Sequence, residues 1–297
     1  FVSDWGPGPL VREAFEAECG CRLNMIGAGD GAGLLARLQL EGPRTAADIV
    51  LGLDTNLTAR ALETGLFVPH GLVPALDLPI GWDDPVFLPF DWSWFAFIHD
   101  RNRTPNPPDS FRALIDSDLS VIIQDPRSST PGLGLLMWVK AAYGDEAAAI
   151  WQGLVPRILT VTAGWSEAYG LFLDGEADMV LSYTTSPAYH IIDEDDDTKA
   201  AAPFAEGHYL QVEVAGMVAG SSQPELAQSF MEFILSDGFQ ATLATTNWMY
   251  PALTPGDGLP EGFDGLHRPE TSLLFSPAEA AALRDQALNE WRNALSR

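Results

Sequence analysis

The sequence predicts an α/β protein with two lobes. Short apolar segments that indicate buried strands alternate with segments of helical spacing, both near the start of the chain and from Thr160 to His190. This alternation is typical of a mostly parallel sheet covered by helices on both faces. A chain of 297 residues with 46% hydrophobic content is long enough for two domains of ordinary size.

The first part of the chain supplies the clearest alternation. Asp54 and Thr55 are expected to cap a helix that ends at Gly65, because short polar side chains favour helix starts and glycine favours helix ends. In chain order, the predicted elements are a helix from Pro7 to about Ala17, a strand from Arg22 to Ile26, a helix from Gly31 to Leu40, a strand from Ala47 to Leu53 and a helix through Glu63.

Two long extended segments are expected to cross between the lobes. The first is Phe87 to Asp100, which is longer than the other predicted strands, and the second is Gly207 to Gly216. Between and after them the pattern predicts a strand from Ser120 to Gln124, a helix carrying Leu135, Leu136 and Trp138, and a helix from Pro224 to Leu235.

The charge balance excludes some classes of partner. Sixteen Lys plus Arg against 41 Asp plus Glu give a formal net charge of -25, so a broad positive surface for nucleic acid is not expected. The negative charge favours a cationic ligand, although the same charge also serves simple solubility. No apolar run of about 18 residues and no basic leader occur, which is compatible with export after signal-peptide removal and with the cytoplasm.

Two cysteines, Cys19 and Cys21, are interpreted as local structure. One intervening residue allows a disulfide of small entropic effect or a pair of thiols, and the sequence leaves both open. The five histidines are scattered without metal-ligand spacing and are expected to be surface or hydrogen-bonded residues, so no metal site is predicted.

One glycine-rich motif suggests an alternative function, the binding of a dinucleotide. Gly27-Ala28-Gly29-Asp30-Gly31-Ala32 fits a variant of the dinucleotide fingerprint between a strand and a helix. Asp30 would repel a pyrophosphate there, so a nucleotide-binding oxidoreductase is the weaker hypothesis. A serine nucleophile at Ser128 or Ser129 has no identifiable base, and no other catalytic signature is present.

The segment from Thr160 to His190 predicts a ligand cleft lined by aromatic rings. Ligands of open α/β sheets bind beyond the carboxyl ends of the strands, where Trp165, Tyr183 and Tyr189 are expected. Ser128, Ser129 and Thr130 precede a helix, and this position suits either an anion or ordinary capping. Flat faces of several rings favour a cationic heteroaromatic ligand.

The motifs DWGPGP, ADIVLGLD, QDPRSSTPGLGLL, GWSEAYGLFL, LSYTTSPAYH, GHYLQVE and NWMYP, in this order, resemble the periplasmic thiamine-binding proteins of bacterial thiamine ABC importers. The resemblance covers nearly the whole chain. It implies the type II periplasmic binding protein fold, in which two α/β lobes joined by a hinge close on thiamine or its phosphates. The implied lobes are residues 1–92 with 215–268, and 93–214, with a terminal helix in 269–297 packing on the second lobe and hinges near residues 91–94 and 212–215.

The resemblance also implies roles for individual residues. Asp30 would accept a hydrogen bond from the aminopyrimidine, and the turn that carries Ser128, Ser129 and Thr130 would meet the hydroxyethyl or phosphate end. The implied ring contacts are Trp165, Tyr183, Tyr189 and Trp248, with Trp5 at the pocket edge. Members of that family have a further strand and a tyrosine-bearing turn before the DWGPG motif.

The resulting expectation is a periplasmic, monomeric binding protein that performs no chemistry, has no cofactor and delivers its ligand to a membrane permease. Thiamine-cleaving enzymes share this scaffold and use a cysteine in the cleft, so an enzyme is the main alternative. Cys19 and Cys21 are predicted to lie away from the cleft loops, and the cleaving nucleophile is therefore not expected here.

Overall fold

The structure is a computed structural model that describes residue 4 and residues 6–296. The helices within these residues are α1 (Pro7–Cys19), α2 (Gly31–Glu41), α3 (Thr58–Glu63), α4 (Phe111–Asp116), α5 (Thr130–Tyr143), α6 (Ala147–Leu154), α7 (Trp165–Leu173), α8 (Pro187–Asp193), α9 (Pro224–Ile234), α10 (Asp237–Thr242) and α11 (Pro277–Leu295). The strands are β1 (Ile49–Asp54), β2 (Phe67–Val68), β3 (Phe87–Asp100), β4 (Val121–Gln124), β5 (Ile158–Thr162), β6 (Met179–Tyr183), β7 (Lys199–Ala201), β8 (His208–Val218), β9 (Tyr250–Pro251) and β10 (Ser272–Leu273).

The main sheet is mixed, with the strand order β1-β8-β3-β6-β4-β5. β8 is antiparallel to both β1 and β3, and β3 is antiparallel to β6. Parallel pairing joins β4 with β5 and β4 with β6, and the two-residue strand β10 also runs parallel to β8. The prediction of a mostly parallel sheet is therefore wrong, because the two long extended segments pair with each other in opposite directions at the centre.

The long strand β3 joins the two parts of the sheet. Its first half, from Phe87 to Trp94, pairs with β8, and its second half, from Phe95 to His99, pairs with β6. Every residue of β3 except the last is buried, since helices cover both faces of the sheet. The predicted extended segments thus form the central pair of strands.

Three apolar clusters fill the layers around this sheet. One surrounds α5 and α6, a second holds α1, α9 and α10 against β3 and β8, and a third packs α7 on β6. Helix α11 lies against α5 and α6 and also contacts α3. The buried ammonium of Lys140 on α5 reaches Glu290 Oε1 on α11 at 2.9 Å, so a charged contact also holds α11 in place.

Local predictions near the start of the chain differ from the structure in two places. Arg22–Ile26 pairs with no described strand, and its side chains alternate between exposed and half-buried positions. Asp54 is the last residue of β1 and accepts from the backbone N–H of Asn56 at 3.0 Å, so the helix starts later, at Thr58. The carboxylate forms a turn before the helix instead of capping it.

Cys19 and Cys21 form a disulfide at the end of α1. Both cysteines pack at the edge of the cluster that contains Phe15. The question that the sequence left open is thus resolved in favour of the disulfide. No helix in the described part of the chain is both long and apolar enough to cross a membrane.

Candidate functional site

A cavity of about 430 Å³ lies at the carboxyl ends of β4, β5 and β6. The loops after these parallel strands lead into α5, α7 and α8, so residues far apart in sequence reach the same place. The cavity brings together six of the residues expected from the sequence: Asp30, Thr130, Trp165, Tyr183, Tyr189 and Trp248. Trp5 lies outside the described residues.

Trp165 is the first residue of α7, and two contacts fix its indole. Its Nε1–H donates to Ser182 Oγ on β6 at 2.7 Å. Its ring stacks on Tyr169 one turn later, with centroids 5.1 Å apart and planes 25° from parallel. One face of the α7 start is therefore a preformed aromatic surface, and Tyr169 also lines the cavity.

Tyr169 was not among the residues expected from the sequence. Its hydroxyl lies 2.9 Å from Nε2 of the buried His190, whose Nδ1 lies 2.6 Å from Glu194 Oε2. Burial raises the pKa of Tyr169 well above its usual range, so the hydroxyl stays neutral. A spacing of four residues from Trp165 on a helix was the signal that could have identified it.

His190, Glu194 and Asp196 also place ligand atoms within 4.8 Å of one another, the only group of this kind among the described residues. Both ring nitrogens of His190 already have hydrogen-bond partners, and Asp196 Oδ2 lies 3.1 Å from the ammonium of Lys199. These bonds account for the cluster as a structural network beside the cavity.

Tyr189 and Trp248 also line the cavity, and their rings meet edge to face with centroids 5.4 Å apart. Trp248 follows a π-helical turn, Leu243–Asn247, and its backbone is left-handed at φ 56° and ψ 40°. That conformation costs about 1 kcal/mol for a residue other than glycine. Tyr183, at the end of β6, packs against Phe95 at 5.2 Å. We call Trp165, Tyr183, Tyr189 and Trp248 the aromatic wall.

Asp30 lies at the start of α2 and lines the same cavity. Its carboxylate oxygens approach the backbone at Gly164, next to Trp165. Burial raises the pKa of the Asp30 carboxyl, and the neighbouring Ser129 hydroxyl opposes that shift. Asp30 therefore offers a hydrogen-bond acceptor inside the cavity, where water competes weakly.

The start of α5 contributes less of its serine-rich turn than expected. Thr130 lines the cavity, and its Oγ1 accepts from Gly31 N–H at 3.1 Å, which ties the starts of α5 and α2 together. Ser128 lies outside the cavity lining and donates to Ala163 O at 2.7 Å, and Ser129 is fully buried. Ser128 and Ser129 thus support the loops around the cavity.

Three further carboxylates form a row across β1, β8 and β3, and the middle one lines the cavity. Glu213 on β8 lies opposite Asp54 on β1 and opposite Asp91 on β3. Burial raises the pKa of Asp54 to about 7, with Glu213 adding to the shift. Burial followed by the charge of Glu213 raises the pKa of Asp91, whose Oδ2 accepts from Asn247 Nδ2 at 2.6 Å. We call Asp54, Glu213 and Asp91 the acidic row, which the sequence analysis missed.

Comparison with known proteins defines the class. Residues 9–241 match the family of bacterial extracellular solute-binding proteins, and the chain belongs to that family. The structure of AfuA from Actinobacillus pleuropneumoniae superposes with a TM-score of 0.81 at 18% identity over 97% of this chain and 94% of that one, a likeness in fold alone. The predicted type II periplasmic binding protein fold is confirmed.

Within that class, several relatives that match this chain over its full length are named for one ligand. The thiamine-binding periplasmic protein of Escherichia coli (strain K12) is 54% identical over all of this chain and 91% of that protein. Its namesake from Haemophilus influenzae is 42% identical over 100% of this chain and 90% of the relative. A solved periplasmic thiamin binding protein has a TM-score of 0.96 at 55% identity, covering 99% of this chain and 93% of that structure.

Proposed function

We propose that this chain is the periplasmic solute-binding component of a thiamine ABC importer, which captures thiamine or its phosphates and delivers them to a membrane permease. The observation that carries the proposal is the cavity that joins the aromatic wall to Asp30 and Glu213. The full-length similarity to thiamine-binding periplasmic proteins supports the same ligand.

The cavity suits the chemistry of thiamine at each end. The thiazolium is a permanent cation, and ring faces such as those of Trp165 and Trp248 attract a cation by roughly 0.5 to 2 kcal/mol each. The aminopyrimidine is flat and donates hydrogen bonds, for which Asp30 is the acceptor. The start of α5 at Thr130 lines the cavity and has no side-chain cap, so the positive end of the helix dipole is available to the hydroxyl or phosphate end.

The structure supports binding over catalysis. Both cysteines are joined in a disulfide at the end of α1, and neither lines the cavity, so the thiolate of a thiamine-cleaving enzyme is missing from the described cleft. Asp30 occupies the position where a pyrophosphate would lie in the dinucleotide hypothesis. We therefore propose a monomeric carrier without a cofactor and without enzymatic turnover.

Delivery to a permease requires that the protein distinguish loaded from empty states. We propose that residues 1–92 with 215–268 form one lobe and residues 93–214 the other, with hinges near residues 91–94 and 212–215. Trp248 and Asp30 belong to the first set and Trp165 and Tyr189 to the second, so a ligand that contacts all four favours the closed state.

Isothermal titration calorimetry with thiamine, thiamine phosphate and thiamine diphosphate tests the proposal. We expect saturable binding of one ligand per chain for at least one of the three forms. Native mass spectrometry of freshly purified protein should reveal any copurified vitamin. Absence of binding by folded protein, for all three ligands, would reject the function, and catalytic release of the pyrimidine in the presence of a nucleophile would favour the enzyme.

A further inference from the structure

The acidic row is an arrangement that folding alone does not favour. Residues directly opposite each other on neighbouring strands project from the same face of a sheet, and strands lie only about 4.8 Å apart. Asp54, Glu213 and Asp91 are direct partners across three adjacent strands, and each is buried. Like charges in such positions repel each other and destabilise the sheet.

Of the three carboxylates, Glu213 alone lines the described cavity. Asp54 is directed to the Asn56 backbone, and Asp91 to the Asn247 side chain. The charge of Glu213 raises the pKa of Asp30 and of Tyr183, so its field reaches the cavity and the aromatic wall. The middle member of the row is thus the one that a ligand meets.

A cation placed in the cavity would be attracted by the Glu213 carboxylate directly. A neutral ring of the same shape would keep the stacking area of the aromatic wall and lose both the cation–π attraction of its rings and the attraction of Glu213. Glu213 therefore adds a charge-dependent contribution to the one that the rings supply.

We propose that Glu213 is a specificity-determining residue that selects a positively charged ring over a neutral ring of the same shape. The inference rests on the proposed thiamine-binding function and assigns to one side chain the part of its charge selectivity that the aromatic rings do not supply. Deazathiamine, in which a neutral thiophene replaces the thiazolium, is the matched probe.

The experiment measures the dissociation constants of thiamine and deazathiamine by calorimetry for the wild type and for Glu213→Gln. We expect the wild type to prefer thiamine by about tenfold or more, and the preference of Glu213→Gln to be smaller by about threefold or more through weaker thiamine binding, with the remainder supplied by the aromatic rings. Glu213→Asp keeps the charge and should retain a preference. Asp257→Asn removes an exposed carboxylate outside the cavity and should leave the ratio unchanged.

The ratio is taken within each protein, so a partly unfolded variant alters both apparent affinities together and leaves the ratio intact. Equal ratios in the wild type and Glu213→Gln would overturn the inference, as would a wild type that binds both probes equally. A wild type that binds neither probe would instead reject the thiamine-binding function itself.

Discussion

The aromatic wall of the cavity and the acidic row next to it are built in different ways. Most of the aromatic wall comes from one stretch, residues 165–189, in which Trp165 on α7 is fixed by Ser182 on β6. The acidic row combines Asp54, Asp91 and Glu213 from three strands far apart in the chain. Local sequence therefore determines the aromatic wall, whereas the acidic row depends on the register of the central sheet.

The two sides also differ in their effect on stability. Aromatic packing such as the stack of Trp165 on Tyr169 favours the folded state and preforms the ligand surface. The acidic row buries three carboxyl groups beside one another, so it opposes folding at pH values where they ionise. Mutations that remove a ring from the aromatic wall should consequently lower the free energy of unfolding, whereas mutations that remove a carboxyl group from the acidic row should raise it.

The largest effect is expected for Asp54→Asn in the pH dependence of stability. The pKa of Asp54 is about 7 in the fold and about 3.9 in an unfolded chain, so the folded state favours the protonated carboxyl. Protonated Asp54 contributes to the free energy of unfolding in full below about pH 4, and this contribution is lost as pH rises through about 7. Its upper bound is roughly 4 kcal/mol.

We expect the free energy of unfolding of the wild type to fall relative to that of Asp54→Asn between these limits. Urea unfolding followed by tryptophan fluorescence at several pH values measures the difference. Asp257→Asn, an exposed carboxylate change, should run parallel to the wild type. If the free energy of unfolding of Asp54→Asn also changed with pH in parallel with the wild type, the Asp54 carboxyl would be ionised to the same extent in folded and unfolded chains.

A smaller effect is expected on the aromatic side, from Trp248→Ala. Loss of its ring contacts should weaken thiamine binding by about 1 to 3 kcal/mol, since stacking area and cation attraction disappear together. Tyr189→Ala, which removes the ring that meets Trp248, should act in the same direction. Calorimetric titration measures both.

Trp82→Ala provides the control for ring loss, because Trp82 donates to Phe87 O at 3.0 Å and does not line the described cavity. Its thiamine affinity should match that of the wild type once folding is verified by circular dichroism. Unchanged affinity in Trp248→Ala and Tyr189→Ala would move the binding site away from this cavity.

The smallest effect is expected for Ser182→Ala, which removes the acceptor for Trp165 Nε1–H. The variant also loses the contact of Ser182 Oγ with Ser186 Oγ at 2.7 Å. Loss of the two bonds should lower stability by about 1 to 2 kcal/mol and weaken thiamine binding several-fold, because the indole is held less firmly. Ser229→Ala on the exposed side of α9 loses a hydrogen bond to Glu225 O and serves as the matched control. Chemical unfolding and titration of both variants provide the comparison.

The sequence was sufficient for features that depend on neighbouring residues. The strand Phe87–Asp100 was predicted with the bounds that the structure has, because its apolar run is long and uninterrupted. The cavity side chains Trp165 and Tyr183 were expected where α7 begins and β6 ends. In each case the periodicity of the chain and the turn beside it carried the information.

Features that depend on distant pairing were not accessible in the same way. The direction of β8 against β3 follows from which strands meet, and the alternation of strands and helices suggested the parallel arrangement instead. Glu213 lies in an apparently ordinary polar position of GHYLQVEV, and only its register against Asp54 and Asp91 reveals its surroundings. Tyr169 is a different case, because its spacing of four residues from Trp165 on a helix was a local signal that the sequence analysis overlooked.

The left-handed backbone of Trp248 has a consequence for how this protein can change over time. Glycine would relieve the conformational penalty at that position, so Trp248→Gly should tolerate heat better than Trp248→Ala while both lack the indole. Selection for thermal stability alone would favour glycine at this position and would reduce ligand binding. Selection for ligand binding would instead retain the tryptophan despite its strained backbone.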